Sequence, residues 1–226
     1  MTVSDGIGLV VFDMAGTTVD VGDGIPIAFA ETMAAAGVAV TAAQIAGVRG
    51  ASKREAIRDL LRVQAPERLS EAERIYETFR VKLDDAAREF KPAPGVANAI
   101  ETLRARGFRV ALNTGFDRDL TEVIIRALHW STLADVVVTG DDVERGRPAP
   151  DLIRRAMALT GINDPSRVAN VGDTSLDLQA GDNAGVGLNI GVWSGAHPKA
   201  RLLLAPHTHL VEFAHEVVGI VQKEHT

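Results

Sequence analysis

The 226-residue sequence contains no cysteine and few aromatic residues (4%), and it lacks any apolar run of about 18 residues. Without cysteine the chain can form no disulfide, no thiolate metal site and no cysteine nucleophile, which is typical of a reducing compartment. It begins without the basic, apolar and small-residue pattern of a secretion signal, so we expect a cytoplasmic protein. The net charge of -6 argues against a surface that coats nucleic acid or binds an anionic membrane.

What the chain does contain is a short apolar run that ends at a carboxylate. Residues 7–12 are β-branched or apolar and predict a buried parallel strand, after which Asp13 opens a turn of small residues. In an open α/β sheet, ligands bind outside the carboxyl ends of the strands. Asp13 is therefore predicted to lie at the ligand-binding edge of the sheet.

The remaining chain divides into a helical part and an alternating part. Residues 21–90 contain four predicted helices, two of them with N-caps at Thr41 and Ser52, and no predicted strand; residues 91–95 (Lys-Pro-Ala-Pro-Gly) form a rigid linker. From there strands alternate with helices, among them a predicted strand at 136–138 and a last predicted helix from about 210 to 221. This alternation predicts right-handed βαβ units and a parallel sheet covered on both faces. We expect an α/β fold with a Rossmann-like parallel sheet core (residues 1–20 and 91–226) and an inserted α-helical cap (residues 21–90).

Polar groups follow the later strands as well, and parallel strands all end at one edge of the sheet. The residues predicted to gather there with Asp13 are Thr114, Gly115, Asp141, Asp142, Asp173, Thr174 and Asp177. Carboxylates from two strands, Asp13 and Asp173, form an oxygen site suited to Mg²⁺. Thr114 and nearby amides offer donors to a phosphoryl oxygen, and Arg147 supplies positive charge. Together they predict a phosphoryl-transfer site.

Four stretches, in this order, resemble the motifs of the haloacid dehalogenase superfamily of phosphotransferases. They are residues 12–17 (Phe-Asp-Met-Ala-Gly-Thr), 113–115 (Asn-Thr-Gly), 146–148 (Gly-Arg-Pro) and 171–177 (Val-Gly-Asp-Thr-Ser-Leu-Asp). The resemblance covers nearly the whole chain. It implies that Asp13 is the nucleophile.

The same resemblance implies a ligand set for metal and phosphate. A Mg²⁺ ion would be held by Asp13, the Ala15 carbonyl and Asp173, with Asp177 behind them. The phosphate contacts that we assign are Thr114, the Gly115 amide, Arg147 and Gly50. The expected partner is a small phosphonate or phosphate-ester substrate, with no nucleic acid and no membrane.

Ala15 narrows the reaction. In the phosphatases and mutases of the superfamily the residue two after the nucleophile is an Asp, which protonates the leaving alkoxide; such acid–base help is worth about 10²–10⁴-fold. Alanine cannot transfer a proton. The stretch 14–20 (Met-Ala-Gly-Thr-Thr-Val-Asp) instead resembles the phosphonatases, the phosphonoacetaldehyde hydrolases, which cleave a carbon–phosphorus bond. This closer resemblance to the phosphonatases also implies a homodimer.

A carbon leaving group needs its charge delocalised, and a lysine Schiff base provides this because the protonated imine accepts the electrons. Residues 50–53 (Gly-Ala-Ser-Lys) align with the phosphonatase cap loop that ends in its Schiff-base lysine, so Lys53 is the candidate. The attacking amine must be neutral. We therefore expect a lowered pKa for Lys53, caused by desolvation or by a nearby cation such as Arg49 or Arg54.

The cap departs from the phosphonatase pattern at three positions. Ala56 replaces a His associated with proton transfer, Arg49 replaces a Met, and the family's Cys aligns near Asp23. Of the histidines, only His197 lies near a predicted strand end. Two other functions stay open: a capped phosphatase on a small activated ester, with Lys53 as a phosphate contact, and a catalytically silent binding protein of the same fold.

Overall fold

The protein, seen here as a computed structural model, is described from residue 6 to residue 223, so the first five and last three residues of the predicted core segments lie outside the description. The strands are β1 (Leu9–Asp13), β2 (Val19–Asp20), β3 (Lys91–Pro92), β4 (Arg109–Asn113), β5 (Val136–Val138), β6 (Val168–Gly172), β7 (Leu188–Val192) and β8 (His209–Val211). The helices are α1 (Gly24–Ala35), α2 (Ala42–Gly47), α3 (Lys53–Gln64), α4 (Ala72–Ala87), α5 (Val96–Ala105), α6 (Arg118–Ala127), α7 (Asp151–Thr160), α8 (Ser175–Ala184), α9 (Lys199–Leu202) and α10 (Val217–Lys223).

Six of the strands form one parallel sheet in the order β5-β4-β1-β6-β7-β8. The central strand β1 is buried along its whole length, as its apolar, β-branched sequence predicts. Its side chains alternate between the two faces. Val10 and Phe12 pack in the core cluster that includes α5, α6 and α10, whereas Leu9 and Val11 pack with α7 and α8. The α/β expectation is confirmed: helices cover both faces of a parallel sheet.

The register of the sheet assembles its polar edge. Asp13 pairs with Asn113 of β4, and Phe12 pairs with Val171 of β6. The residues that follow these neighbouring strands therefore emerge beside Asp13.

Between β2 and β3 the chain is helical. Residues 21–90, all of them described, contain α1–α4 and a 3₁₀ turn but no strand. α4 packs against both α1 and α3, and the rings of Phe29 and Phe79 lie 4.4 Å apart at their centre. Two predicted helix starts are present: Thr41 forms a capping box with Gln44, and Ser52 caps α3. This part is called the helical segment below.

Two short strands join the helical segment to the sheet. β2 and β3 pair antiparallel, with Val19 opposite Pro92 and Asp20 opposite Lys91. The Ala93 amide donates to the Thr18 carbonyl at 2.9 Å, which extends the connection by one bond. The predicted linker 91–95 thus begins as a strand rather than as free chain.

The C-terminal region differs from its predicted form. A helix is expected from about Leu210 to Val221, but residues 209–211 form β8, parallel to β7, and α10 begins only at Val217. Residues 209–211 pair with the edge of β7 that faces away from β6. This pairing satisfies the backbone N–H and C=O groups that a helix would have satisfied internally. Within residues 6–223 no helix is long and apolar enough to cross a membrane.

Candidate active site

A cavity of about 480 Å³ lies between the carboxyl edge of the sheet and the helical segment. The residues that the sequence assigns to metal, phosphate or catalysis all line it: Asp13, Ala15, Gly50, Lys53, Thr114, Gly115, Arg147, Asp173 and Asp177. Asp141 and Asp142, which are also predicted at this edge, do not line it; both contact Arg118 instead. The fold thus brings together groups that are up to 164 residues apart in the chain (from 13 to 177). Their roles follow from what each one contacts.

Asp13 and Arg147 form a buried ion pair. Arg147 Nη2 lies 2.7 Å from Asp13 Oδ1, and Arg147 Nε lies 2.8 Å from Asp177 Oδ1. The same Nη2 donates to Asn113 Oδ1 at 2.6 Å. The three ion-paired side chains are at most 6% exposed, so Arg147 is held by two carboxylates and an amide away from bulk water.

Asp177 is fixed from the other side by its helix. Its Oδ2 accepts from the Thr174 amide at 2.9 Å and from the Thr174 hydroxyl, and this capping box begins α8. One carboxylate oxygen thus caps a helix while the other faces Arg147. Because both oxygens are engaged, Asp177 orients Arg147 and is itself rigid.

Asp173 has a different environment. Its Oδ2 accepts from the Ala196 amide at 2.6 Å, and Thr17 Oγ1 donates to its Oδ1 at 3.3 Å. Within residues 6–223 no lysine, arginine or histidine nitrogen lies within 4.0 Å of this carboxylate. Gly16 has φ +91°, and a Cβ there would lie 2.1 Å from Asp173 Oδ2, so only glycine permits this approach.

The charges in the cavity perturb each other's protonation. Burial raises the pKa of Asp13 to about 7, although the Arg147 guanidinium opposes this rise. Burial, together with repulsion from Asp13 and then Asp177, raises the pKa of Asp173 well above its ordinary value. The two acids therefore share a water-poor environment in which added positive charge would stabilise their ionised forms.

Lys53 enters the cavity from the helical segment. It is the first residue of α3, where Ser52 Oγ accepts from the Glu55 amide at 3.3 Å. Its Nζ lies 5.2 Å from the centre of the Phe116 ring and 3.5 Å from the Ala51 carbonyl oxygen. Burial lowers the pKa of Lys53 to about 8; Asp13 acts in the opposite direction.

Desolvation, one of the two causes expected from the sequence, is the main cause of the lowered Lys53 pKa. The cation that assists it is Arg147, and not Arg49 or Arg54 as the sequence suggests. Arg54 turns away to Glu73, at 3.0 Å, and its guanidinium lies 4.4 Å above the Tyr76 ring. Sequence proximity was misleading because consecutive side chains at a helix start point in different directions.

Two glycines mark where the helical segment meets the sheet. A Cβ on Gly115 would lie 3.5 Å from the Ser52 Cα, and one on Gly50, which has φ +90°, would lie 2.6 Å from Thr174 Oγ1. Thr114 is buried behind them, with its amide donating to the Val138 carbonyl at 3.0 Å. Gly50 thus has a steric reason to be glycine that is separate from any contact with phosphate.

Sequence reasoning missed the role of Asn113. It was quoted only as part of a motif, yet its side chain accepts from Arg147; a buried amide at the last position of a strand is the signal. His197 does not line the cavity. Its Nδ1 accepts from the Ser175 amide at 3.0 Å, and burial lowers its pKa to about 4, so it is a neutral structural residue.

The parallel-sheet fold, with acidic, hydroxyl and basic side chains at the carboxyl edge of the sheet, indicates which class of protein this is. A family model for haloacid dehalogenase-like hydrolases matches residues 10–189, and the chain belongs to that family. It is accordingly a hydrolase.

Two curated relatives carry a more particular name. Phosphonoacetaldehyde hydrolase of Latilactobacillus sakei subsp. sakei (strain 23K) is 31% identical over 231 residues, which cover 92% of this chain and 85% of that protein. Phosphonoacetaldehyde hydrolase of Bacillus cereus is 32% identical over 196 residues, covering 80% of this chain and 74% of that protein.

Solved structures share the fold. A phosphonoacetaldehyde hydrolase-like protein from Oleispira antarctica superposes with a TM-score of 0.86 at 22% identity, over 97% of this chain and 92% of the other. CbbY from Rhodobacter sphaeroides, solved in complex with phosphate, superposes with a TM-score of 0.77 at 24% identity, over 93% and 96% of the two chains.

Proposed function

We propose that this chain is a Mg²⁺-dependent, phosphonatase-like hydrolase that cleaves the carbon–phosphorus bond of phosphonoacetaldehyde or a related small phosphonate. The observation that supports this most is the pairing of Ala15 with Lys53 in one cavity. A proton donor is missing where an alkoxide would leave, and an amine of lowered pKa lines the same space. The names of the two relatives agree with this choice of reaction.

The residues present fit a magnesium ion. Asp173 is buried beside Asp13 and has no cationic partner among the described residues, and the available donors are oxygens, which Mg²⁺ prefers. Within residues 6–223 there is no group of three or more acidic, histidine or cysteine side chains that would hold a metal alone. Asp13, Asp173 and the Ala15 carbonyl would therefore hold the ion together with water and substrate oxygens. When bound, it would neutralise phosphoryl charge.

In the proposed phosphoryl transfer, Asp13 attacks phosphorus and forms an aspartyl phosphate while the C–P bond of a substrate already linked to Lys53 breaks. Arg147, already oriented by Asp177 and Asn113, binds the phosphoryl oxygens next to the nucleophile. Thr114 and the Gly115 amide donate to the remaining oxygen. Positioning and electrostatics supply most of the rate in phosphoryl transfer, and buried groups held this rigidly need little reorganisation.

Before this transfer, Lys53 prepares the carbon to leave. Its neutral amine adds to the substrate carbonyl, and the adduct takes up a proton and loses water to give a protonated imine. When the C–P bond breaks, its electron pair moves to the imine, and an enamine is released from phosphorus. Protonation and hydrolysis of the enamine return the free amine, and water hydrolyses the aspartyl phosphate. No step requires a proton donor at Ala15.

The proposal also divides the chain into two domains. Residues 1–20 and 91–226 form the core that holds Asp13, Arg147 and Asp173, and residues 21–90 form a cap that delivers Lys53. The paired strands β2 and β3 are the connection between them. A cap of this kind would exclude bulk water from the imine and from the aspartyl phosphate.

Borohydride trapping tests the proposal. The protein is incubated with phosphonoacetaldehyde and Mg²⁺, reduced with sodium borohydride, and mapped by peptide mass spectrometry. We expect a reduced adduct on Lys53 and loss of activity, because only an imine is fixed by the reagent. Lys53→Arg should keep the charge yet lose both the adduct and C–P cleavage. Lys82→Arg is the matched control, since Lys82 pairs with Glu31 outside the cavity.

Turnover of phosphonoacetaldehyde without any adduct, or full activity of Lys53→Arg, would contradict the Schiff base. If phosphate were instead released only from activated esters, the protein would be a capped phosphatase in which Lys53 contacts phosphate.

A further inference from the structure

Arg49 is a cation of the cavity that the proposed reaction does not use. It lines the same space as Asp13 and Lys53, and its Nη1 donates to the Ala196 carbonyl at 3.2 Å. Within residues 6–223 no carboxylate oxygen lies within 4.0 Å of its guanidinium. By contrast, Arg147 is held by two carboxylates and Arg54 by Glu73. Most hydrogen-bond donors of Arg49 are therefore available to a ligand.

The position of Arg49 is fixed relative to the reacting groups. The Ala196 carbonyl accepts from Arg49, and the Ala196 amide donates to Asp173 Oδ2 at 2.6 Å. Arg49 therefore lies next to Asp173, on the side of the cavity where we propose that the metal binds. Lys53, the first residue of α3, lies four positions further along the chain. A small ligand that reaches both Asp13 and Lys53 would occupy the cavity in which Arg49 also lies. A planar guanidinium that lacks an acidic partner matches a carboxylate, which it can bind with two parallel bonds.

We propose that Arg49 binds a carboxylate of the substrate, so that the preferred substrate carries a phosphoryl group at one end and a carboxylate at the other. Only the phosphoryl end of this substrate rests on the proposed function; the carboxylate end rests on Arg49. If the enzyme cleaves C–P bonds, the substrate is a carboxylated β-carbonyl phosphonate such as 3-phosphonopyruvate, which with water gives pyruvate and phosphate. If it cleaves esters, the substrate is a carboxylated phosphate ester such as phosphoglycolate.

Binding of two unreactive phosphonates tests this without turnover. Phosphonoacetate carries the carboxylate, and ethylphosphonate has a neutral tail of similar size; neither has a carbonyl that can form an imine. Affinities are measured by calorimetry on the full chain in saturating Mg²⁺. We expect the wild-type protein to bind phosphonoacetate about tenfold or more tightly than ethylphosphonate, the range of a charge-assisted hydrogen bond.

Three variants identify the cause of this preference. Arg49→Met should reduce the ratio of the two affinities to near one, while Arg49→Lys should retain part of it. Arg54→Met, an arginine of the same segment that does not line the cavity, should leave the ratio unchanged. A parallel assay compares kcat/KM for 3-phosphonopyruvate against phosphonoacetaldehyde, and for phosphoglycolate against a neutral alkyl phosphate.

Equal weakening of both phosphonates by Arg49→Met would show that Arg49 only ties the helical segment to Ala196, and would overturn the inference. A wild-type ratio near one would overturn it as well. Either result would leave the phosphoryl site intact. Failure of the wild-type protein to bind either phosphonate, or inorganic phosphate, would instead overturn the proposed function and this inference together.

Discussion

The two sides of the cavity are built in different ways. On the sheet side, Asp13, Arg147 and Asp177 hold one another through ion pairs of 2.7 and 2.8 Å, and each is buried. On the helical side, Lys53 is half-buried and has one long hydrogen bond, at 3.5 Å, to the carbonyl of nearby Ala51. The sheet side is thus rigid, and the helical side is loosely held. Under the proposed function the sheet side would bind the phosphoryl group, and the helical side would decide which leaving group is handled.

The largest effect should follow a change on the sheet side. Asp13→Asn removes the proposed nucleophile while keeping the size of the side chain, and we expect kcat to fall about 10⁴-fold or more. Phosphate release with phosphonoacetaldehyde measures this, and thermal unfolding checks that the variant is folded. An Asn variant that retained even a tenth of the activity would exclude an aspartyl phosphate at this position.

Ala15→Asp tests whether the absence of a proton donor at position 15 is what separates this protein from an ester phosphatase. The new carboxyl group would line the cavity and supply the missing proton donor. We expect hydrolysis of an alkyl phosphate to rise about 10²-fold, with a much smaller change for p-nitrophenyl phosphate, whose leaving group needs no proton. An equal gain for both esters would argue against acid catalysis.

The pH profile reports on the helical side. Burial lowers the pKa of Lys53 to about 8. In the proposed reaction the amine adds to the substrate carbonyl only when it is neutral. kcat/KM for phosphonoacetaldehyde should therefore rise about tenfold per pH unit below 8 and level off above it. Both assays contain saturating Mg²⁺, whose charge would keep Asp13 ionised below its pKa of about 7. The control is the hydrolysis of p-nitrophenyl phosphate by Ala15→Asp, which should then lack this rise. A flat profile between pH 6 and 8 with phosphonoacetaldehyde would contradict the role of the neutral amine.

The smallest effect concerns the contact between the two sides. The buried Tyr76 hydroxyl, from α4, donates to Asp117, which also caps α6 by accepting from the Leu120 amide at 2.9 Å. Tyr76→Phe should lower the free energy of unfolding by about 1–2 kcal/mol in urea, with kcat changed little. Thr78→Val, which loses a local bond on the outer face of α4, should change stability by about 0.5 kcal/mol or less.

Local signals gave the sequence analysis most of its correct predictions. β5 is predicted at its observed bounds, and the caps at Thr41 and Ser52 are present, because strand periodicity and capping chemistry act within a few residues. Parallel topology then placed Asp13 and Asp173 at one edge. β8 was missed because three residues become a strand only through a neighbour 19 positions away, as His209 pairs with Ile190.

The side-chain pairs within the site could not be predicted from the sequence for the same reason. The bond between Arg147 and Asn113 joins side chains 34 residues apart, and no local pattern determines which of several acids an arginine will choose. Desolvation is correctly expected to lower the Lys53 pKa, but the assisting cation is misassigned, because side-chain direction at the start of α3 decides which cation lies near the amine. The types of chemical group in the site could be predicted from the residues at the strand ends, but the contacts between those groups could not.

The contact at Gly50 limits how this enzyme can be re-engineered. Thr174 Oγ1 accepts from the Asp177 amide at 3.3 Å and so belongs to the capping box that orients Arg147, yet a side chain on residue 50 would collide with it. Recombining the helical segment with the sheet of another family member would therefore fail wherever the graft brings a larger residue to this position. When helical segments are exchanged between family members, residues 50 and 174 must therefore be transferred together.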